Sequence, residues 1–257
     1  FPALSRLCAE GRLDLPGVGG ARSSWDDDTF GAHVRDSVQS GWPEVPPEVL
    51  EQMCSNLHLV AGDYADLATF DALAATLDRN GAQHPVFYLA IPPSLFPHVI
   101  ESLSVVGLTA TGRVVVEKPF GRDLHSAQDL NRVLHEALPE ERIFRIDHYL
   151  GKEAVEDLLV FRFANSLLEP VWNRNHIASV QVTMAETIDV EGRGSFYDSV
   201  GALRDVVQNH LLQVVGLLAM EPPVGSEAKH LSDEKAKVFA AMAAIDPSQA
   251  VRGQYDG

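Results

Sequence analysis

Apolar residues in the first half of the chain follow two alternating patterns. Short continuous runs occur at Leu57-His58-Leu59-Val60-Ala61-Gly62-Asp63, Pro85–Pro93, Gly112–Gly121 and Ile143–Ile146. Each ends in glycine, proline or charge, as buried parallel strands do. Between them the apolar positions recur at helical spacing over Thr29–Ser40 (Phe30, Val34, Val38), Glu48–Ser55, Tyr64–Arg79, Ser94–Gly107 and Asp123–Leu138. Ser94 is expected to cap its helix. A short strand can also be drawn just before Arg22. Strands alternating with helices predict βαβ units and a parallel sheet, with ligands beyond the carboxyl ends of the strands.

After Lys152 the pattern changes. Glu153–Phe163 is amphipathic, with Val155, Leu158, Leu159 and Arg162. Ile177–Glu186 alternates apolar and polar, which predicts a strand with two unlike faces. A glycine-rich loop is expected over Glu191–Asp198 and helices over Leu203–Met220 and Asp233–Ala244. The expected architecture is an α/β Rossmann-like dinucleotide-binding domain, residues 1–147. It is followed by an α+β domain with a mainly antiparallel sheet, residues 148–257. At the start, Leu4, Leu7 and Cys8 follow helical spacing up to Gly11. A chain that opens inside a packed helix is expected to have residues upstream.

Composition narrows the function classes. The 257 residues carry 20 Lys and Arg against 36 Asp and Glu, a net charge of −16. That surface disfavours nucleic acid and anionic membrane as partners, because both need a basic face. Two widely separated cysteines, Cys8 and Cys54, form neither a disulfide framework nor a metal-ligand spacing, so no metal and a cytoplasmic location are expected. No apolar run is long enough to cross a bilayer.

Chemistry-bearing residues gather at three strand ends: Tyr88 with Pro92 and Pro93, Glu117-Lys118, and Asp147-His148. The last belongs to Arg145-Ile146-Asp147-His148-Tyr149-Leu150-Gly151-Lys152-Glu153, which packs an acid, an imidazole, a phenol and an ammonium into six positions. Such a cluster suits a sugar phosphate; the plain reading is a charged loop with a surface ion pair. His148 and Lys152 are four apart, so a helical turn would place them on one face. In Leu203–Met220, His210 falls in the middle of an apolar stripe flanked by Asn209 and Gln213. It is either a hydrogen-bonded core histidine or a rigidly held general base. At α-helical spacing, Asp205 is on the opposite side. The run Gly17–Gly20 is neither a dinucleotide fingerprint nor a Walker loop. Arg22 with Ser23 and Ser24, following a strand, can read a 2′-phosphate and so favour NADP; the plain reading is a surface arginine in a turn.

Several pieces together resemble one family. Tyr88-Leu89-Ala90-Ile91-Pro92-Pro93, Glu117-Lys118-Pro119-Phe120-Gly121, Arg145–Glu153, Arg162–Asn165, Trp172-Asn173-Arg174, Glu191–Gly194, Arg204–Gln213 and Gly253-Gln254-Tyr255 are similar to glucose-6-phosphate dehydrogenase, over essentially the whole chain. The resemblance implies oxidation of glucose 6-phosphate at C1 to the lactone, with hydride passed to NADP. It implies His210 as general base with Asp147 as its carboxylate partner. His148, Tyr149 and Lys152 would hold the phosphate, and Glu186 and Asp205 the sugar hydroxyls. Lys118 would reach both substrate and cofactor, after a cis bond to Pro119. Arg22, Ser23 and Tyr88 would bind NADP. A homodimer or homotetramer is implied. The family also has an opening strand with a glycine-rich turn, and a second domain continuing well past Gly257. Rival readings are a related sugar-phosphate dehydrogenase and a weak paralogue or fragment acting as a binding subunit.

Overall fold

The computed structural model describes residues 1–13, 16–23, 25–187, 190, 192 and 194–253, apart from the side chains of Ser195 and Ser199. Ser24, Glu191, Arg193, Gln254 and Tyr255, singled out above, lie outside the described residues. The chain divides into two compact units, Phe1–Ile146 and Asp147–Gly257.

The first unit alternates helices and strands in chain order: α1 Pro2–Ala9, β1 Gly17–Ala21, α2 Asp27–Gly41, α3 Pro47–Ser55, β2 Leu57–Ala61, α4 Leu67–Arg79, β3 Val86–Leu89, α5 Phe96–Val105, β4 Arg113–Glu117, α6 Leu124–Ala137 and β5 Ile143–Ile146. All the ladders are parallel, as the alternation predicts. They form a β1–β2 pair and a separate three-stranded sheet ordered β3–β4–β5. In the latter, Leu89 pairs with Val116 and Glu117 with Ile146, which levels the carboxyl ends of the strands. Val114 and Val116 of the central strand are fully buried, with Ile100, Leu103 and Leu134 from α5 and α6 packed into the same core.

Aspartates set the starts of α2, α4 and α6. Asp26, Asp66 and Asp123 each accept a hydrogen bond from a first-turn backbone N–H, and Asp123 with Ser126 forms a reciprocal box. Asp66 therefore starts α4 at Leu67 rather than Tyr64, and the Tyr64 hydroxyl donates instead to Gly20 O at 2.8 Å. Ser94 does not cap α5; it lies in a 3-10 turn, Pro93–Leu95. The glycines of β1 serve packing. A Cβ on Gly19 would stand 2.9 Å from the Phe30 ring, so the strand passes α2 as bare backbone.

The second unit contains a 3-10 turn at His148–Gly151, α7 Glu153–Phe163, α8 Gly194–Ala202, a π-helix Leu203–Leu211, α9 Leu212–Ala219 and α10 Ala228–Ala241. Its core joins Val155, Val214, Leu217 and Met220. Three expectations change here. Ile177–Glu186 forms no strand: an alternating pattern defines a face, but a ladder needs a partner, and this unit has no strand among its described residues. The glycine-rich segment enters α8 at Gly194 instead of remaining a loop. The last helix runs from Ala228 to Ala241, its first turns supported by a Lys229–Asp233 pair of 2.6 Å.

Candidate active site

Asp147 opens the second unit directly after β5. Its backbone is extended, and Oδ1 accepts from Tyr149 N–H at 3.1 Å, capping the 3-10 turn. This cap turns the carboxylate inward. His210 Nδ1 lies 2.5 Å from the same Oδ1, and the two side chains are 2% and 10% exposed. Oδ2 of Asp147 is shut off from solvent and makes no hydrogen bond among the described residues. A carboxylate that close to a buried imidazole can orient the ring and select its tautomer.

Aromatic rings complete the fit. Tyr149 stacks on His210 with centroids 5.0 Å apart, and His148 meets it edge-on at 4.8 Å. Lys152 Nζ stands 4.6 Å from the Tyr149 ring centre. His148 and Lys152 are both exposed. They do not share an α-helical face, because the intervening turn is 3-10 and α7 begins only at Glu153. Ligating atoms of Asp147, His148 and His210 fall within 4.8 Å of one another. Within that cluster, His210 Nδ1 and Asp147 Oδ1 stand 2.5 Å apart.

The π-helix alters the face analysis. Its i→i+5 repeat brings positions five apart to the same side. Asp205 and His210 are five apart and both buried, at 8% and 2% exposed. The opposite-side placement expected for Asp205 holds only for an α-helix. Glu186 is exposed and lies in the segment without a strand.

The far end of α9 is held by two side chains to which the sequence reading gave no role, Arg162 and Trp172. Arg162 is buried and donates to Leu217 O at 2.5 Å and Met220 O at 2.9 Å. Its guanidinium lies over the rings of Phe163 and Trp172, and Trp172 Nε1 donates to Leu218 O at 2.9 Å. Burial pushes Arg162 below its ordinary pKa, with Glu221 opposing. The only signal in the sequence was an arginine on the apolar face of a helix.

In the first unit the other expected residues sit at carboxyl ends of strands. The Tyr88 hydroxyl donates to the Glu117 carboxylate on the neighbouring strand. That bond, then burial and the nearby charge, push the phenol up to about 12. Lys118 follows β4, and its bond to Pro119 is cis, as expected. Arg22 and Ser23 follow β1 and, with Ala61 at the end of β2 and Gly62 and Asp63 after it, line a cavity of about 400 Å³. Arg22 Nη2 lies 3.3 Å from Asp63 Oδ1, and the guanidinium is 5.9 Å from the Tyr64 ring centre. Ser23 Oγ is shut off from solvent with no hydrogen-bond partner among the described residues. An orphaned hydroxyl beside an exposed guanidinium fits a phosphate or ribose ligand.

Two family models match in succession. "Glucose-6-phosphate dehydrogenase, NAD binding domain" covers residues 1–157, and "Glucose-6-phosphate dehydrogenase, C-terminal domain" covers 159–257. The chain belongs to the glucose-6-phosphate dehydrogenase family. It is 48% identical over 259 residues to glucose-6-phosphate 1-dehydrogenase 1 of Mycobacterium tuberculosis, covering all of this chain and 54% of that relative. It is 42% identical over 263 residues to the Emericella nidulans glucose-6-phosphate 1-dehydrogenase, covering 99% of this chain and 51% of the relative. The crystal structure of glucose-6-phosphate 1-dehydrogenase from Mycobacterium avium superimposes with a TM-score of 0.93 at 44% identity, over 100% of this chain and 57% of that one. A glucose-6-phosphate dehydrogenase in complex with its substrate glucose-6-phosphate gives 0.83 at 39% identity, over 95% and 53%. The chain spans about half the length of the curated relatives it matches. No helix of the described residues is long and apolar enough to cross a membrane.

Proposed function

We propose that this protein oxidises D-glucose 6-phosphate at C1 to 6-phosphoglucono-1,5-lactone, with NADP as hydride acceptor. The observation that carries this is the buried 2.5 Å contact of His210 with Asp147, in a chain of this family. When bound, NADP supplies the carbon that accepts hydride. His210 presents Nδ1 to Asp147, so Nε2 takes the proton of the C1 hydroxyl as general base. The imidazolium that forms is stabilised by the carboxylate against which it already lies. As the C1–H bond breaks and its hydride would pass to the nicotinamide carbon, the C1–O bond becomes the lactone carbonyl, and the proton stays on His210 until it passes to solvent.

His148, Tyr149 and Lys152 hold the phosphate in this reading, since two are exposed donors around the half-buried phenol. Asp205 and Glu186 take sugar hydroxyls, and Lys118 serves substrate and cofactor. Arg22 and Ser23 take the 2′-phosphate of NADP and Tyr88 the nicotinamide side. The Arg22–Asp63 pair does not forbid this: exposed pairs contribute little, and a phosphate carries roughly −1.5 to −2 charge. Ile177–Glu186 is assigned to an antiparallel sheet that a partner strand would complete. The protein is assigned to the cytoplasm as a homodimer or homotetramer.

Formation of NADPH from glucose 6-phosphate by the full-length polypeptide tests the proposal. Turnover only with a different hexose phosphate would point to a related dehydrogenase. Absence of turnover with tight substrate binding would point to a binding subunit.

A further inference from the structure

Strands β1 and β2 end level. Their parallel register pairs Ala21 with Ala61, so Arg22-Ser23 and Gly62-Asp63 leave the pair side by side. The turn after β2 is tied down at both ends: Gly62 N–H donates to Ala21 O at 2.9 Å, and Thr69 Oγ1 donates to Asp63 O at 2.8 Å. Asp63 Oδ1 accepts from Ala65 N–H at 2.9 Å, an Asx turn that fixes the carboxylate. The same oxygen lies 3.3 Å from Arg22 Nη2, and both side chains are more than half exposed. A guanidinium and a carboxylate therefore line one cavity, beside Ser23. In dinucleotide folds these two groups read different nucleotides. A carboxylate accepts the 2′-hydroxyl of NAD, and an arginine meets the 2′-phosphate of NADP. The carboxylate also repels that phosphate, which carries roughly −1.5 to −2 charge.

We propose that Asp63 sets the nucleotide selectivity of this site: it accepts the adenosine 2′-hydroxyl of NAD and opposes the 2′-phosphate of NADP, so that the protein binds both nucleotides. The inference rests on reading the cavity as the place of the adenosine ribose. With NADP bound, Arg22 exchanges the Asp63 carboxylate for the phosphate. With NAD bound, Arg22 stays on Asp63. The cost of that exchange is what narrows the preference for NADP.

Isothermal titration of NAD and NADP into the full-length polypeptide tests this. Asp63→Asn keeps an acceptor for Ala65 N–H and removes the charge. It should weaken NAD about threefold and tighten NADP about threefold, raising the NADP preference about tenfold. Such opposed shifts distinguish a ligand contact from a damaged turn, which would weaken both nucleotides. Asp63→Glu, which keeps the charge, should stay nearer the parent. An unmoved preference in Asp63→Asn, or equal losses for both nucleotides, overturns the proposal. If circular dichroism shows that Asp63→Asn does not fold, the parent protein decides. NAD lacking the adenosine 2′-hydroxyl should bind it about tenfold more weakly than NAD, and equal binding overturns the proposal. Arg22→Ala judges the site separately. A loss confined to NADP there, beside an unmoved preference in Asp63→Asn, overturns the role of Asp63 and leaves the site. Equal losses of both nucleotides in Arg22→Ala remove the site and the proposal with it.

Discussion

Tyr149 lies almost parallel to His210, with ring planes 22° apart and centroids 5.0 Å apart. The same tyrosine donates its backbone N–H to the Asp147 oxygen that faces the histidine. One residue thus fixes both partners of the acid–base pair. His210→Asn keeps a polar side chain of similar shape but removes the base. Its kcat should fall by a factor on the order of 10³, with glucose 6-phosphate affinity nearly unchanged. Steady-state kinetics and isothermal titration check this. A variant retaining most of its kcat would sink the assignment.

Asp147→Asn tests the carboxylate. An amide can still cap the turn at Tyr149, so the fold should survive. The charge opposite the imidazolium is lost, and kcat should drop by about 10² or more. Circular dichroism beside the kinetics separates chemistry from folding.

Tyr88 gives a prediction in pH. Its phenol is raised to about 12 by the Glu117 bond, above the ordinary value near 10. A raised acid contributes stability that is fully present below the unfolded value. That stability is lost as pH rises from about 10 through 12. Ultraviolet titration should find one tyrosine ionising late, and Glu117→Gln should bring it down.

Arg22→Ala should weaken NADP about tenfold or more while changing NAD little, because only NADP carries the 2′-phosphate. Ser23→Ala should act in the same direction with a smaller loss. Fluorescence titration with both nucleotides is the measurement; equal losses would show that Arg22 does not read that phosphate.

Arg162→Met should destabilise the protein by about 2–4 kcal/mol, since two buried carbonyls at the end of α9 lose their donor. Trp172→Phe removes one donor and should cost about 1 kcal/mol. Denaturant unfolding of the two variants tests the order.

Much of the first unit was legible in the sequence. Val114-Val115-Val116 ending at Glu117 could hardly be other than a central parallel strand, and the helices between such runs showed in their apolar spacing. The central motif and His210 stood out because charge and imidazole occur where apolar residues are expected. What remained hidden depends on backbone forms that periodicity does not encode. Nothing in Leu203–Leu211 announces a π-helix, so α-helical spacing was the wrong ruler for its faces. Ile177–Glu186 shows a strand pattern but has no strand to pair with among the described residues of its unit.

The packing of α10 on α9 at Gly216 also constrains how such chains can diverge. A methyl group at 216 would stand 3.0 Å from Phe239 Cζ and 3.4 Å from Lys235 Cγ, so the ring would have to give way slightly. Positions 216 and 239 therefore share one volume between them. A relative with a larger residue at the first should carry a smaller one at the second, and these two sites should change together rather than drift alone.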